Sequence, residues 1–147
     1  MVRILLRHRL AVLCVTLLLT LAGLKFLAAQ ERERVTNPNF TGTVYTVKEN
    51  SQGSFAHYRF EAGAHTKWHT HEGGQIVLCE EGVCRTQMRG GPVIELHANE
   101  AAYCPPGGTH WHGAAPGEGG TQFNVSRGKL TWLEEVSDAE YQAAPRK

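Results

Sequence analysis

The chain is made of short runs in which apolar and polar residues alternate, each run closed off by Gly, Pro or Asn. Thr43-Val44-Tyr45-Thr46-Val47 is the first run and residues 54–60 are the next. Residues 75–79, 83–88, 93–96, 101–104 and 121–126 continue the series. Gly73-Gly74, Gly82, Gly90-Gly91-Pro92, Asn99, Pro105-Pro106-Gly107-Gly108 and Pro116-Gly117 separate them. A period of two places successive side chains on opposite faces of a strand. Turn residues at this density keep every strand short. A chain of this kind folds as an all-β sandwich or barrel. The one helix signal is near the end, where Ser137 can cap a short helix over residues 138–143 with acids in its first turn.

The front of the chain has a different character. Arg3, Arg7, His8 and Arg9 precede an apolar stretch over residues 10–24, broken by Thr16, Thr20 and Gly23. Lys25-Phe26-Leu27-Ala28-Ala29 and a charged run follow. Basic, then apolar, then small is the layout of a secretory signal peptide, here residues 1–29. The alternative is an uncut anchor over residues 10–29, long enough for a hydrocarbon core of roughly 30 Å. Either way the positive flank stays inside, and the domain is expected in the periplasm or outside the cell. Any membrane contact is expected through this segment alone.

The 147 residues suffice for one domain plus that leader. They are too few for a multidomain enzyme or an α/β barrel. The formal net charge is +1, and 11 basic against 14 acidic residues after Gln30 give the rest of the chain −3. That balance argues against nucleic acid as a partner, which calls for a clustered basic surface. Cys79, Cys84 and Cys104 follow the leader in a compartment where disulfides form. Glu80-Glu81-Gly82 reads as a hairpin turn, across which Cys79 and Cys84 can bond. Cys104 then reads as a small buried apolar residue.

Eight histidines are the chemical signal. His69 and His71 are two apart, which puts both on one strand face. Gln75 lies beyond the turn Glu72-Gly73-Gly74, which can fold it back towards them. His110 and His112 repeat the spacing behind a Pro/Gly turn. Imidazoles ligate first-row transition metals, and three of them hold an ion while leaving positions open. A small barrel interior is where side chains from separate strands converge. His57, His65 and His97 have no such partner and read as structural or surface residues.

Two longer patterns contain these pairs. Gly63-x5-His69-x-His71-x3-Gln75-x6-Gly82 and Pro105-x-Gly107-x2-His110 resemble the paired motifs of the cupin superfamily. Trp68-His69-Thr70-His71 and His110-Trp111-His112-Gly113-Ala114-Ala115-Pro116 narrow the resemblance to a subgroup. It is similar to the small bacterial manganese-type hydroxynitrile lyase cupins and their carboxymuconolactone-decarboxylase-like relatives. The resemblance covers residues 40–136, between a linker at 30–39 and a tail at 137–147. It implies a double-stranded β-helix, the cupin jelly-roll barrel. It also implies one divalent transition metal, manganese first with iron, nickel, cobalt or zinc as alternatives, held by His69, His71, Gln75 and His110. His112 corresponds to the pocket histidine and is the expected catalytic residue. Ala56 corresponds to a small residue lining a substrate pocket. Gln122 stands where the family has a second pocket His, and Ser126 where it has a Gln. Tyr58, two along from Ala56, narrows the pocket if that face points inward. A homodimer or homotetramer is the assembly the resemblance implies.

The departures from the motifs carry chemical content. Gln75 stands where the acidic ligand is usual, and Asn99 and Ala114 replace the second motif's Gly and Asn. A divalent ion with three neutral imidazoles and one carboxylate leaves one positive charge, whereas a neutral amide leaves two. The ion is then the stronger Lewis acid. No carboxylate is present to take a substrate proton, which disfavours dioxygenase chemistry of the flavonol type. The expectation is therefore a lyase or decarboxylase-like enzyme acting on a small hydroxy or carbonyl substrate. A metal-dependent dioxygenase or oxidase and a non-catalytic small-molecule or metal-binding module are the competing readings.

Overall fold

The computed structural model describes residues 32–47 and 55–146. The expected signal peptide or anchor, residues 1–29, lies outside the described residues. The strands are β1 (Arg32–Arg34), β2 (Phe40–Thr41), β3 (Val44–Val47), β4 (Phe55–Phe60), β5 (His65–Thr66), β6 (His69–His71), β7 (Gln75–Gly82), β8 (Cys84–Met88), β9 (Val93–Leu96), β10 (Ala101–Cys104), β11 (His110–Ala114), β12 (Gly120–Ser126) and β13 (Leu130–Trp132). A helical turn, α1 (Asp138–Tyr141), follows. Within the stretch read as a linker, Arg32–Arg34 pairs with β3.

Two antiparallel sheets form the jelly roll. One has the order β1-β3-β4-β12-β7-β10, and the other has β13-β6-β11-β5-β2, with β8 joining β11 to β9. The inward face of the first sheet follows from its alternation. In β7, Gln75, Val77 and Cys79 are buried while Ile76 is 44% exposed. The register puts Tyr58 opposite Gln122, and Ala56 opposite Asn124. Tyr58 packs with Phe60, Phe40 and Val44, on the same face as buried Phe60.

The outer face of the second sheet is covered by its own core of Trp68, Val93, Trp111, Val136 and Tyr141. Trp68 and Trp111 thus pack behind the histidine strands rather than among the ligands. α1 holds Tyr141 in place through a capping box, in which Ser137 accepts from the Glu140 amide and Glu140 accepts from the Ser137 amide. Arg85 donates to the Tyr141 carbonyl and pairs with Glu95.

One expectation is corrected. The chain makes no hairpin turn at Glu80-Glu81-Gly82. Strand β7 runs on through Gly82, paired with β12 across a register shift at Thr121/Gln122. β8 belongs to the other sheet. Cys79 and Cys84 do form a disulfide, with 5.8 Å between their Cα atoms, and it ties the two sheets where the chain crosses between them. Glu80 pairs with His57, and Glu81, which is exposed, accepts from Thr121; both lie within strand β7 rather than in a turn.

Candidate metal centre

Three short elements bring the site together. β6 presents His69 and His71 on one face, both buried. β11 pairs with β6 with His110 opposite His69. The turn after His71 returns the chain through Gly74 at φ 82°, where an added Cβ would come within 2.6 Å of the Cys104 carbonyl. A glycine is needed there, and the turn sends Gln75 back inward as the first residue of β7. Gly113 serves a similar purpose beside His112. A Cβ on it would lie 2.4 Å from the Ala64 carbonyl, so only glycine lets β5 approach β11.

The result is a group of His69, His71 and His110 whose ring nitrogens lie within 4.8 Å of one another. Each ring's orientation has a cause. His69 Nδ1 donates to the Lys67 carbonyl at 2.9 Å, and His110 Nδ1 lies 3.2 Å from the Gly108 carbonyl. Holding Nδ1 in this way leaves Nε2 as the lone-pair nitrogen, as metal-ligating histidines require. Neither ring nitrogen of buried His71 has a hydrogen-bond partner. A buried imidazole without one is costly, and an ion between the three rings would satisfy it. Gln75 Oε1 lies 2.7 Å from His110 Nε2, so the amide oxygen faces the same centre. The donor set of three imidazoles and one carbonyl oxygen fits a divalent transition metal.

The electrostatics agree. Burial pushes His69 down to about 3, with neighbouring His110 adding to it. Burial pushes His110 down to about 4 and lowers His71 as well. All three are neutral at pH 7, the form that binds metal.

His112 is placed differently. It is buried, and burial lowers its pKa well below the usual value. Its ring lies 5.2 Å from that of His69 and edge-on to Phe60. Gln122 Nε2 donates to the Gly113 carbonyl at 2.6 Å, which turns Oε1 towards His112 Nδ1 at 2.8 Å. That oxygen only accepts, so His112 carries its proton on Nδ1 and leaves Nε2 unprotonated.

The structure therefore gathers His69, His71, Gln75, His110, His112 and Gln122 in direct contact or ring packing. Ala56 and Tyr58 lie on β4 and Ser126 on β12, in the sheet that also carries Gln75 and Gln122, with Ser126 opposite Gln75. Three neighbours were not singled out from sequence. Trp132 packs on His69 with ring centroids 4.9 Å apart. Cys104 Sγ lies 2.8 Å from His110 Nδ1. Asn124 is buried between Gln122 and Ser126 on β12. Spacing of two from both Gln122 and Ser126 is the one signal that could have found it.

Comparison with known proteins agrees with this geometry. The cupin domain model matches residues 56–126. An (R)-mandelonitrile lyase from Granulicella tundricola is 37% identical over 111 residues, covering 69% of this chain and 85% of that protein. A cupin-like protein from Thermotoga maritima, solved by crystallography, is 36% identical with a TM-score of 0.66, covering 76% of this chain and 92% of its own. The polyketide cyclase RemF from Streptomyces resistomycificus shares the fold at 18% identity, with a TM-score of 0.55 over 76% of this chain and 86% of its own.

Proposed function

Since the chain belongs to the cupin family, we propose that it is an exported lyase with one divalent metal, manganese first among the candidates, cleaving a small cyanohydrin or related hydroxy compound. His69, His71, His110 and Gln75 would hold the ion. When bound there, it supplies Lewis acidity to a substrate hydroxyl or carbonyl oxygen.

The protein's own groups do the rest. His112 Nε2 is the base within the site, and it takes the hydroxyl proton. The carbon–carbon bond to the nitrile then breaks, its electron pair leaving with cyanide, and the remaining fragment becomes an aldehyde. His112 returns the proton to cyanide, so a cyanohydrin gives one aldehyde and one hydrogen cyanide. Gln122 fixes the tautomer that makes this possible. Tyr58, Ala56 and Ser126 shape the space beside it. The absence of a carboxylate among the proposed ligands favours this route over one that needs oxygen.

The observation that carries the proposal is His112, neutral and buried against the three-histidine group with Nδ1 committed to Gln122. Granulicella's (R)-mandelonitrile lyase supports the substrate class. The disulfide Cys79–Cys84 supports export to an oxidising compartment, with residues 1–29 as the address. The test is benzaldehyde release from racemic mandelonitrile by manganese-loaded protein, with and without oxygen, followed by chiral analysis of the remainder. Oxygen-independent release of one enantiomer, lost in His112→Ala, is expected. No release from any cyanohydrin or hydroxy acid tried, or release that requires oxygen, rejects it.

A further inference from the structure

Asn124 is a buried polar residue that the metal centre does not use. It is 1% exposed, and neither its Oδ1 nor its Nδ2 has a hydrogen-bond partner. Its strand neighbours on the inward face are both placed at the site. Gln122, two residues before, is bonded to His112 and Gly113. Ser126, two residues after, lies opposite Gln75. Asn124 itself is paired with Val77 on one side and Ala56 on the other. Those side chains are aliphatic and cannot bond an amide. The amide therefore sits on the strip of wall between the partner of His112 and the partner of His110, with a donor and an acceptor unspent.

Buried amides are bonded in the great majority of cases, and packing alone would favour an apolar side chain here. His71 is the other side chain among the described residues whose polar atoms are both buried and unpaired. Its use is at the metal centre. A use for Asn124 on the facing wall follows the same logic.

We propose that Asn124 is a substrate-binding residue that grips a second polar group of the substrate, on the carbon next to its hydroxyl, through Nδ2 as donor and Oδ1 as acceptor. The inference rests on the metal-centre reading, since the hydroxyl end is oriented by it. The class selected is a small hydroxy compound whose neighbouring group can hydrogen-bond, such as an amide or a nitrile, over one carrying only hydrocarbon there. A primary amide, which both donates and accepts, complements Asn124 best. A site built around an unspent hydrogen-bonding group rejects the analogue that leaves it unpaired.

The probes are mandelamide and 1-phenylethanol, which share the ring and the hydroxyl and differ in the neighbouring group. Their dissociation constants are measured by calorimetry on the manganese-loaded full chain, for the parent protein, Asn124→Leu and Asn124→Ala. The parent is expected to prefer mandelamide by about ten-fold, as one or two net hydrogen bonds allow. Both variants should bring that preference to within about two-fold, with metal content and 1-phenylethanol binding unchanged. Asn124→Leu, the isosteric change, should leave the Tm of the metal-free protein equal or higher. An unchanged preference in both variants overturns the proposal, as does a parent protein that binds neither probe or binds both alike. A fall in Tm for Asn124→Leu with the preference intact makes the amide structural and also overturns it. Mandelonitrile cleavage is assayed in parallel. Asn124-dependent preference without cleavage rejects the lyase reading and keeps this one, and cleavage with Asn124-independent preference does the reverse.

Discussion

The two His-x-His pairs have the same spacing and different fates. In β6, His69 and His71 both join the three-histidine group. In β11, His110 joins it, while His112 turns to Gln122 and packs against Phe60. Strand geometry treats the pairs alike, since a period of two puts both members of each on one face. The difference comes from the opposite sheet. β7 presents the Gln75 oxygen to His110, and β12 presents the Gln122 oxygen to His112. Within β11 the two histidines are thus told apart by the amides across the barrel, since their own strand treats them alike.

The largest effect that tests this contrast is on metal content. His69→Ala, His71→Ala and His110→Ala should each empty the site on elemental analysis of purified protein. His112→Ala should keep one ion per chain and lower kcat by about 10²–10⁴, the usual worth of a positioned acid–base group. Metal loss from His112→Ala would make it a fourth imidazole ligand and end the contrast.

The second test uses acid. His69, His110, His71 and His112 are held below their ordinary pKa by burial, His69 to about 3 and His110 to about 4. Buried His65, stacked on Tyr141 at 4.3 Å, is lowered too. A histidine depressed in the native state resists a proton that the unfolded chain accepts. The stabilisation is complete above the unfolded value near 6.5 and is lost as pH falls towards the native values. Metal-free protein should therefore hold a level Tm above pH 7 and lose it steeply between about pH 6.5 and 4, with proton uptake on unfolding. Thermal melts across that range check this, and a flat profile would mean that the rings are hydrated. His112→Phe should shrink the pH dependence without abolishing it, since His69, His71, His110 and His65 still resist protonation.

The third test addresses the amides. Gln122→Leu should keep the metal and lower turnover by about ten-fold, the lower end for a group that orients an active imidazole. The His112 tautomer, read from ¹⁵N chemical shifts, should change from the Nδ1-protonated form to a mixture. Unchanged shifts would show that something other than Gln122 holds the ring.

Much of this was legible in sequence because local pattern sets it. The runs that became β3, β4, β8, β9, β10 and β12 are long enough to show their period. The pairs of histidines and the glycines around them fix where the metal group falls. β1, β2, β5 and β13 are two or three residues long, below the length at which alternation can be seen. The misread hairpin at Glu80-Glu81-Gly82 has a specific cause. Gly82, at φ 68°, lies where an added Cβ would come 2.0 Å from the Gly119 carbonyl, so glycine marks a close approach between strands rather than a turn. Trp132 reaches the site through the pairing of β13 with β6, some sixty residues back in the chain, which no local signal reports.

Cys104 gives the smallest effect and the finest version of the comparison. His110 Nδ1 faces two groups, the Gly108 carbonyl at 3.2 Å and Cys104 Sγ at 2.8 Å. Sγ also lies 3.3 Å from that carbonyl, so the thiol can donate to Gly108 while accepting from His110. Burial raises its pKa to about 11, which keeps it a thiol and not a competing thiolate ligand. Cys104→Ala removes one of the two restraints and leaves the carbonyl. The expected loss in metal affinity is therefore at most about ten-fold, the low end for a partner of a ligating histidine. Competition with a chelator would measure it. Cys104→Ser, which keeps a donor and an acceptor on a shorter reach, should recover part of the loss. Equal affinity in Cys104→Ala and the parent protein would assign the orientation of His110 to Gly108 alone, a backbone carbonyl two residues before the ring, as Lys67 is for His69.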